Sequence, residues 1–378
     1  MNDIPKGWEK VELSEILEIS KSKFNPKTSN ENKKCIELEH ISQETGKLLG
    51  YIDSKEQQSI KNIFHKGEIL FGKLRPYLKK YWMADFDGVC STEFWVLNGK
   101  KVTNDYLFQL IQTNKFNQIA NISSGSKMPR ADWKYMSKIP FDIPPLKEQE
   151  KIAQILTTWD EAISKQEQLI TTKERLKKGL MQKLLSGEVR FAGFDEEWEF
   201  IKLGDLLEYE QPTKYLVANK DYDESYKTPV LTAGKTFILG FTQEKNGIFK
   251  NELPVIIFDD FTTATKFVDF PFKVKSSAMK ILKAKDNDIN IKLVYEMMQM
   301  IDYEADDHKR YWISEYQELE IKLPSKQEQQ KIAQLLTLAD KEIELLKEEL
   351  EALKEQKRGL MQRLLSGAVR TKDIKGTK

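Results

Sequence analysis

One segment of the sequence carries the end of a phosphate-binding loop but not its beginning. Residues 228–236 read TPVLTAGKT, whose last three residues match the end of a P-loop. Such a loop also needs a glycine five residues before Gly234, where the backbone approaches the phosphates, and Pro229 stands there instead. The following FILGF predicts a strand, whereas the phosphates of a P-loop face a helix N-terminus. We therefore predict no nucleotide site.

Other segments imitate catalytic motifs without their essential groups. VIIFDD at 255–260 follows Lys235 too closely for a Walker B strand, and DIPPL at 142–146 lacks the residues that flank the prolines of adenine methyltransferases. ELEIK at 318–322 contains only a Glu-x-Lys triplet, which is common by chance. No metal-ligand spacing joins the cysteines and histidines, which are Cys35, Cys90, His40, His65 and His308. The sequence thus predicts a chain that is not an enzyme and needs no cofactor or metal.

Two segments of the chain repeat each other at an offset of 180 residues. KKGLMQKLLSGEVR at 177–190 recurs as KRGLMQRLLSGAVR at 357–370, and EQEKIAQIL at 148–156 recurs as EQQKIAQLL at 328–336. The period is far too long for a solenoid. It indicates two homologous halves.

The repeated segments predict two long helices with heptad seams. In the second block, about 327–365, the seam consists of Ile332, Leu336, Ala339, Ile343, Leu346, Leu350, Leu353, Lys357, Leu360 and Leu364. The seam of the first block, about 147–185, is interrupted by Gln166 and Lys173, and polar seam positions favour one chosen partner. Ser325 and Glu328 have the spacing of a capping box at the start of the second helix.

Each long helix follows a segment that we call a head. The two heads share the order of a few features but not their sequence between these features. Both heads begin with an aromatic residue followed by leucines, GWEKVELSEILE at 7–18 and EWEFIKLGDLLE at 197–208. Short β-like runs follow, and amphipathic helices are predicted at 103–119 and 291–301. These features predict an α+β chain with a pseudo-two-fold repeat, divided into the first head (1–145), the first long helix (146–190), the second head (191–323), and the second long helix with a tail (324–378).

Two similar helices that carry dissimilar heads suit the binding of an extended target. Two heads held apart by antiparallel helices contact an extended target at two separated places. A helix of about 39 residues is about 58 Å long, and one turn of DNA is about 34–36 Å. The arrangement predicts two unlike short sites separated by an unread spacer.

The chain resembles the specificity subunit of type I restriction–modification systems along essentially its whole length. The resemblance rests on PPLKEQEKIAQIL at 144–156, LPSKQEQQKIAQLL at 323–336, both GLMQ[KR]LLSG segments, and GEILFGKLRPYLKKYW with GVCSTEF in the first head. It implies two target recognition domains, each binding half of a split, asymmetric site in double-stranded DNA. It also implies antiparallel helices that dock two methyltransferase (modification) subunits and, through them, restriction subunits. Adenine methylation and ATP-driven cleavage would then belong to those partners.

Two basic segments of the first head are candidate DNA contacts. KLRPYLKKYW at 73–82 combines basic and aromatic side chains, and SSGSKMPR at 123–130 is small, polar and basic. Arg reads a guanine edge with two hydrogen bonds, and Lys holds phosphate. The candidates are Lys73, Arg75, Tyr77, Lys79, Lys80, Ser126, Lys127 and Arg130. The alternative is a solvated basic surface with the aromatic residues in the core.

In the second head, the candidates come from DDFTTATKFVDFPFKVK at 259–275 and from HKR at 308–310. They are Thr262, Thr263, Thr265, Lys266, Lys273, Lys275, Lys309 and Arg310. Arg310 lies 180 residues after Arg130, which makes the two arginines a pair. Acidic residues outnumber basic ones in 191–322, but charges more than about 10 Å from the DNA are largely screened.

The alternatives and the cellular location follow from composition. No apolar run is long enough to span a membrane, and MNDIPKGWEK is not a secretory signal, so we expect a cytosolic protein. Two other functions stay open: a specificity-like subunit of a related defence or modification-only system, and a coiled-coil scaffold that binds no DNA. Neighbouring genes for a methyltransferase and a helicase-nuclease would favour the DNA reader over the scaffold.

Overall fold

The computed structural model describes residues 4–122, 128–232, 236–303 and 310–371 of the 378-residue chain. The chain forms two compact units. Unit 1 consists of Met1–Glu167 and Glu348–Lys378, and unit 2 of Gln168–Lys347. The long helices α5 (Leu146–Leu185) and α9 (Lys326–Leu365) contribute to both units, so each unit combines one head with a segment of each helix.

The first head combines β-sheets with short helices. In chain order its elements are β1 (Glu9–Glu12), α1 (Leu13–Ile16), β2 (Leu17–Ile19), β3 (Lys23–Phe24), β4 (Lys34–Ile36), β5 (Ile52–Asp53), β6 (Lys61–Phe64), β7 (Ile69–Gly72), β8 (Tyr81–Met83), β9 (Gly88–Ser91), β10 (Phe94–Gly99), α2 (Asn104–Leu110), α3 (Asn114–Ala120), α4 (Trp133–Met136) and β11 (Pro140–Ile143). The strand orders are β2-β10-β7-β8, β3-β6-β9-β4-β5 and β1-β11.

Aromatic residues from the sheet and the helices form the core of the first head. Phe71 and Phe116 are buried, and their rings meet edge to face with 5.3 Å between centroids. The prediction of one helix over 103–119 is wrong, because the chain forms two helices here. The hydroxyl of Thr113 accepts a hydrogen bond from a first-turn amide and starts α3, and Thr103 caps α2 in the same way.

The second head repeats this frame with different content. Its elements are β12 (Glu199–Lys202), α6 (Leu203–Leu206), β13 (Leu207–Glu210), β14 (Thr228–Leu231), β15 (Ile238–Thr242), β16 (Val255–Asp259), β17 (Thr265–Val268), β18 (Lys273–Val274), β19 (Met279–Ala284), α7 (Ile291–Met298), α8 (Tyr311–Ser314) and β20 (Glu320–Leu323). The strand orders are β13-β19-β16-β17, β15-β14-β18 and β12-β20. The four-stranded sheet thus has the same topology in both heads, and the prediction of an α+β chain with an internal repeat is confirmed.

The two long helices pair antiparallel within each unit. In unit 1, Gln166 Nε2 donates to Glu349 Oε2 at 3.0 Å. In unit 2, Lys173 Nζ lies 2.5 Å from Glu342 Oε1. Residue numbers rise along α5 as they fall along α9, which is the antiparallel register. Both polar interruptions of the first seam are therefore paired with a polar residue of the facing helix.

The long helices do not have the composition of membrane spans. Charged residues recur along both, as KEQEK in α5 and KEELEALKEQK in α9 show. Within the part of the chain that the structure describes, no helix is both long and apolar enough to cross a bilayer.

A cluster of tryptophan, glutamate and arginine ties the ends of the helices to the first head in unit 1. Both carboxylate oxygens of Glu148 accept hydrogen bonds from Arg370, at 2.8 and 2.7 Å. The indole nitrogen of Trp8 also donates to Glu148, at 3.1 Å. Glu148 lies in the first turn of α5 and Arg370 follows the end of α9, so this Trp–Glu–Arg cluster joins antiparallel helix ends.

The same Trp–Glu–Arg cluster occurs in unit 2. Arg190 donates to the two oxygens of Glu328 at 3.0 and 2.7 Å, and Trp198 donates to Glu328 at 3.0 Å. Arg190 and Arg370, the final arginines of the two repeated segments, thus have the same role in their clusters. The predicted capping role of Glu328 is wrong, because its buried carboxylate accepts hydrogen bonds from Arg190 and Trp198.

Candidate nucleic-acid interface

The loop at 73–80 lies beside the described end of the second basic segment, residues 128–130. The amide of Arg75 donates to the carbonyl of Pro129 at 2.8 Å, and the amide of Ala131 donates to the carbonyl of Lys73 at 2.9 Å. These hydrogen bonds join the loop after β7 to the segment before α4. The fold therefore brings Arg130 next to Lys73 and Arg75, although the two segments are far apart in the sequence.

Three side chains of the loop at 73–80 are available for a ligand. Tyr77 is 52% exposed, and Arg75 is exposed. Among the described residues, none forms a hydrogen bond or ion pair with the side chains of Lys73, Arg75 or Tyr77. Arg75 and Lys79 also have φ values of 51° and 47°. Left-handed backbone at non-glycine residues is costly and is often found at functional sites.

The remaining candidates in this loop already have partners within the protein. Lys79 Nζ lies 2.7 Å from Glu44 Oε1, and Lys80 Nζ donates to the carbonyl of Leu38 at 2.6 Å. The next two aromatic residues, Tyr81 and Trp82, are buried. Of the aromatic residues in this segment, Tyr77 alone is exposed, and the alternative that the others belong to the core holds for Tyr81 and Trp82.

Arg130 forms a two-pronged ion pair with Glu93. Its Nε and Nη2 donate to the two carboxylate oxygens at 3.0 and 2.9 Å. The hydrogen bond from Arg130 lowers the pKa of Glu93 below its usual value, so the carboxylate is charged at neutral pH. The Arg130 side chain is nevertheless 47% exposed. The guanidinium is therefore held in place and still reaches solvent.

Backbone hydrogen bonds identify the matching positions of the second head. The amide of Tyr311 donates to the carbonyl of Asp260 at 3.1 Å, as that of Ala131 does to Lys73. The amide of Asp260 in turn donates to Ala278 at 3.3 Å, and that of Lys73 to Glu93 at 2.9 Å. Three pairs are therefore equivalent, namely Arg130 with Arg310, Lys73 with Asp260, and Glu93 with Ala278.

Several candidates of the second head are accessible. Thr262, Lys266 and Arg310 are exposed, and Thr263 has a φ of 58° in the loop after β16. Lys275 is half-buried, with its Nζ 5.8 Å from the centre of the Tyr222 ring. Among the described residues, Arg310 has no side-chain partner. This head thus presents hydroxyl groups and separate cations where the first head presents a basic loop.

Two candidates of the second head are buried and do not suit direct contact. Lys273 is 3% exposed, and its Nζ lies 2.8 Å from Glu244 Oε2 and donates to the carbonyl of Asn246 at 2.6 Å. Thr265 is 9% exposed and accepts a hydrogen bond from Gln299. Both side chains pair with polar groups inside the head, so we remove them from the set of candidate DNA contacts.

Some positions lie outside the described residues, and others were missed by the sequence analysis. Ser126, Lys127 and Lys309 fall outside the described ranges. Glu93 was missed because a lone acidic residue gives no sign of its partner. Phe261 was also missed, although it is 46% exposed in the loop after β16. The sequence signal for its exposure was its position directly after Asp259 and Asp260, which end the apolar run VIIFDD.

The segments that imitate catalytic motifs have structural roles. Pro229 lies in strand β14, and the residues after the loop form strand β15 rather than a helix. Gly234 and Lys235 lie outside the described residues. Glu320 and Ile321 of the ELEIK segment belong to β20, which pairs with β12. The prediction that a strand follows this segment is confirmed.

Comparisons with known proteins give one family. A family model described as "Type I restriction modification DNA specificity domain" matches residues 5–172 and 195–355. The specificity subunit of the type I restriction enzyme EcoR124I/EcoR124II of Escherichia coli is 51% identical over 148 residues, which are 38% of this chain and 35% of that protein. The EcoDI specificity subunit of Escherichia coli is 32% identical over 193 residues, or 49% of this chain and 43% of that protein. The chain thus matches less than half the length of these two relatives.

Matches over nearly the full length are more distant. A putative type I restriction enzyme MjaX specificity subunit of Methanocaldococcus jannaschii is 26% identical over 430 residues, covering 98% of this chain and 96% of that protein. The solved S subunit of a type I restriction-modification system from M. genitalium has a TM-score of 0.61 at 18% identity, covering 96% and 97%. A chain from a structural study of assembly and conformational transition of the type I R-M system has a TM-score of 0.60 at 17% identity, covering 98% and 100%. These two structures share the fold.

Proposed function

The chain belongs to the type I restriction–modification DNA specificity family, and on this premise we propose that it is the DNA-reading subunit of such a complex. Each head binds one half of a split, asymmetric site in double-stranded DNA. The two halves of the site are unlike because the heads present different side chains on one frame.

One observation carries this proposal. The loops after the equivalent strands β7 and β16 begin at the same backbone position, yet they differ in length and chemistry. The first, at 73–80, is basic with an exposed tyrosine, and the second, at 260–264, carries an exposed phenylalanine and threonines. A constant frame with variable exposed loops suits a fixed docking geometry on different base sequences.

The exposed candidates divide into two kinds of contact. Arg130 and Arg310 are the proposed base readers, because arginine donates two hydrogen bonds to a guanine edge. We assign Lys73, Arg75 and Lys266 to phosphate contacts, and Tyr77 to a contact with the duplex beside them. Lys79 and Lys80 would first have to leave Glu44 and Leu38, so we assign them a smaller role, as we do Thr262, Thr263 and Lys275.

The proposal extends to partners. The helices α5 and α9 dock two methyltransferase subunits, and restriction subunits join through them. The chain itself carries no catalysis, so methyl transfer and cleavage take place in those partners. Because the second head is acidic, we expect the isolated chain to bind DNA weakly and the methyltransferase subunits to supply much of the phosphate contact.

Methylation mapping tests this function. Genomic DNA is sequenced for modified adenine in host cells with and without the gene, and again after residues 1–145 are replaced by those of a relative. We expect methylation at a split site that depends on the gene, and the exchange should change one half of that site. Methylation that does not depend on the gene, or an exchange that leaves the site unchanged, would favour a scaffold that binds no DNA.

A further inference from the structure

Among the described residues, the Arg130 side chain pairs with Glu93 alone, which leaves one edge of the guanidinium without a partner there. Two N–H groups, on Nε and Nη2, donate to the carboxylate at 3.0 and 2.9 Å. A guanidinium has five N–H donors in one plane, so Nη1 and the second N–H of Nη2 remain. Two coplanar donors at this end match the O6 and N7 acceptors of guanine.

Glu93 is itself fixed by the sheet. It lies in the turn between β9 and β10, where its carbonyl accepts a hydrogen bond from the amide of Lys73 at 2.9 Å and its own amide donates to the hydroxyl of Ser91 at 3.4 Å. Its side chain is 26% exposed, against 47% for that of Arg130. A charge anchored in the fold thus holds a more exposed guanidinium in one direction.

The second head shows that the frame does not require this ion pair. Ala278 takes the position of Glu93, and Arg310 has no side-chain partner among the described residues. The same backbone position therefore carries an arginine with a carboxylate support in one head and without it in the other.

We propose that Glu93 is a positioning residue that fixes Arg130 for reading one base pair of the first half-site. This inference rests on the DNA-reading function proposed above. An unsupported arginine loses rotamer freedom when it binds a base, whereas Glu93 imposes that order before DNA arrives. Arg130 therefore discriminates among base pairs more strongly than Arg310 does at its own position.

The test uses the complete complex with its methyltransferase subunits. The variants are Glu93→Ala, Glu93→Gln, Arg130→Ala and the double variant Glu93→Ala with Arg130→Ala. Methylation rates and DNA binding are measured on DNA substrates changed one base pair at a time in both half-sites. We expect Glu93→Ala to lower discrimination about tenfold at one position of the first half-site, with the second half-site unchanged. Glu93→Gln, which keeps the shape and one acceptor, should give a smaller loss.

The double variant separates positioning from other roles. If Glu93 acts through Arg130, discrimination in the double variant equals that of Arg130→Ala alone. If the double variant discriminates less than Arg130→Ala alone, the inference is overturned. It is also overturned if Glu93→Ala discriminates as well as the unaltered protein. Tighter binding of Glu93→Ala to every sequence also overturns it, because Glu93 would then only compete with DNA. Should Glu93→Ala fail to fold, Glu93→Gln carries the same comparison.

The unaltered complex distinguishes failure of this inference from failure of the function. If it methylates DNA without sequence preference, the DNA-reading function is refuted. If it methylates a split site and the Glu93 variants do the same with equal discrimination, only the role of Glu93 is refuted.

Discussion

Lys266 and Lys273 come from the same segment of the second head and have opposite surroundings. Lys266 is exposed on β17, whereas Lys273 is 3% exposed and paired with Glu244. Removing one member of a buried ion pair leaves the other charge without compensation. An exposed lysine away from such contacts contributes little to stability.

These two lysines give a matched pair of substitutions. We expect Lys273→Ala to lower the free energy of unfolding by about 3 kcal/mol, and Lys266→Ala to change it by less than about 0.5 kcal/mol. Lys266→Ala should instead weaken DNA binding by the complex and reduce its dependence on salt. Urea unfolding and binding at several salt concentrations measure the two effects. A stable Lys273→Ala with weakened binding would return Lys273 to the set of DNA contacts.

The sequence offered residue types suited to DNA contact, but it could not show which of these side chains are accessible. Arg130 and Arg310 were predicted as a pair from their 180-residue offset, and backbone hydrogen bonds place them at equivalent positions. Lys273 was misplaced because a lysine that neutralises a buried glutamate looks the same in sequence as one that faces solvent. Glu93 was missed because its partner lies across the fold.

At the scale of elements, the Trp–Glu–Arg cluster of unit 1 makes the stability of the joined helix ends depend on pH. The hydrogen bonds from Arg370 are the main cause that lowers the pKa of Glu148 below its usual value of 4.5. A carboxyl group with a lower pKa in the folded state stabilises the fold at neutral pH. This contribution is lost as the pH falls from 4.5 through the lower folded value.

Substitution of Glu148 tests this dependence. Glu148→Gln should lower the free energy of unfolding by about 2 kcal/mol at pH 7. Its difference from the unaltered protein should shrink below pH 4.5, because the carboxyl becomes protonated first in the unfolded state and, at lower pH, in the folded state as well. Thermal unfolding between pH 7 and pH 3 follows the difference. Glu150→Gln, an exposed change in the same turn, is the control. A difference that stays constant across this range would show that the charge of Glu148 is not responsible.

The elements were predicted to different extents. The long helices were predicted to within about one residue, because a heptad pattern repeated at a fixed offset is a strong signal. The break between α2 and α3 was not predicted, since Thr113 serves equally well inside a helix pattern and at the start of a new helix. Glu328 illustrates a similar limit, because its spacing from Ser325 fits a cap but Arg190 binds its carboxylate.

At the scale of the whole molecule, the long helices give the proposed reader a length that can be changed. Inserting one heptad after Glu167 in α5 and another after Lys347 in α9 keeps both seams and adds about 10 Å, or about three base-pair steps of about 3.4 Å. We expect both half-sites to stay the same and the unread spacer to grow by about three base pairs, as methylation mapping would show.

A single insertion is the control for this experiment. Seven residues added to α5 alone keep its own heptads but shift it against α9, which should disrupt the contacts of Gln166 and Lys173 with the facing helix. We expect this variant to lose site-specific methylation. If the double insertion leaves the spacer unchanged, the helices do not set the distance between half-sites.

Unit 2 is one continuous stretch, whereas unit 1 is completed by the last part of the chain. Leu364 and Leu365 belong to the hydrophobic core of the first head. During translation, the head that leaves the ribosome first therefore waits for its closing residues while about 180 others are added, or about 10–35 s at about 5–20 residues per second. The head synthesised later thus has all of its own residues before the first head receives Leu364 and Leu365, so the second head can finish folding earlier.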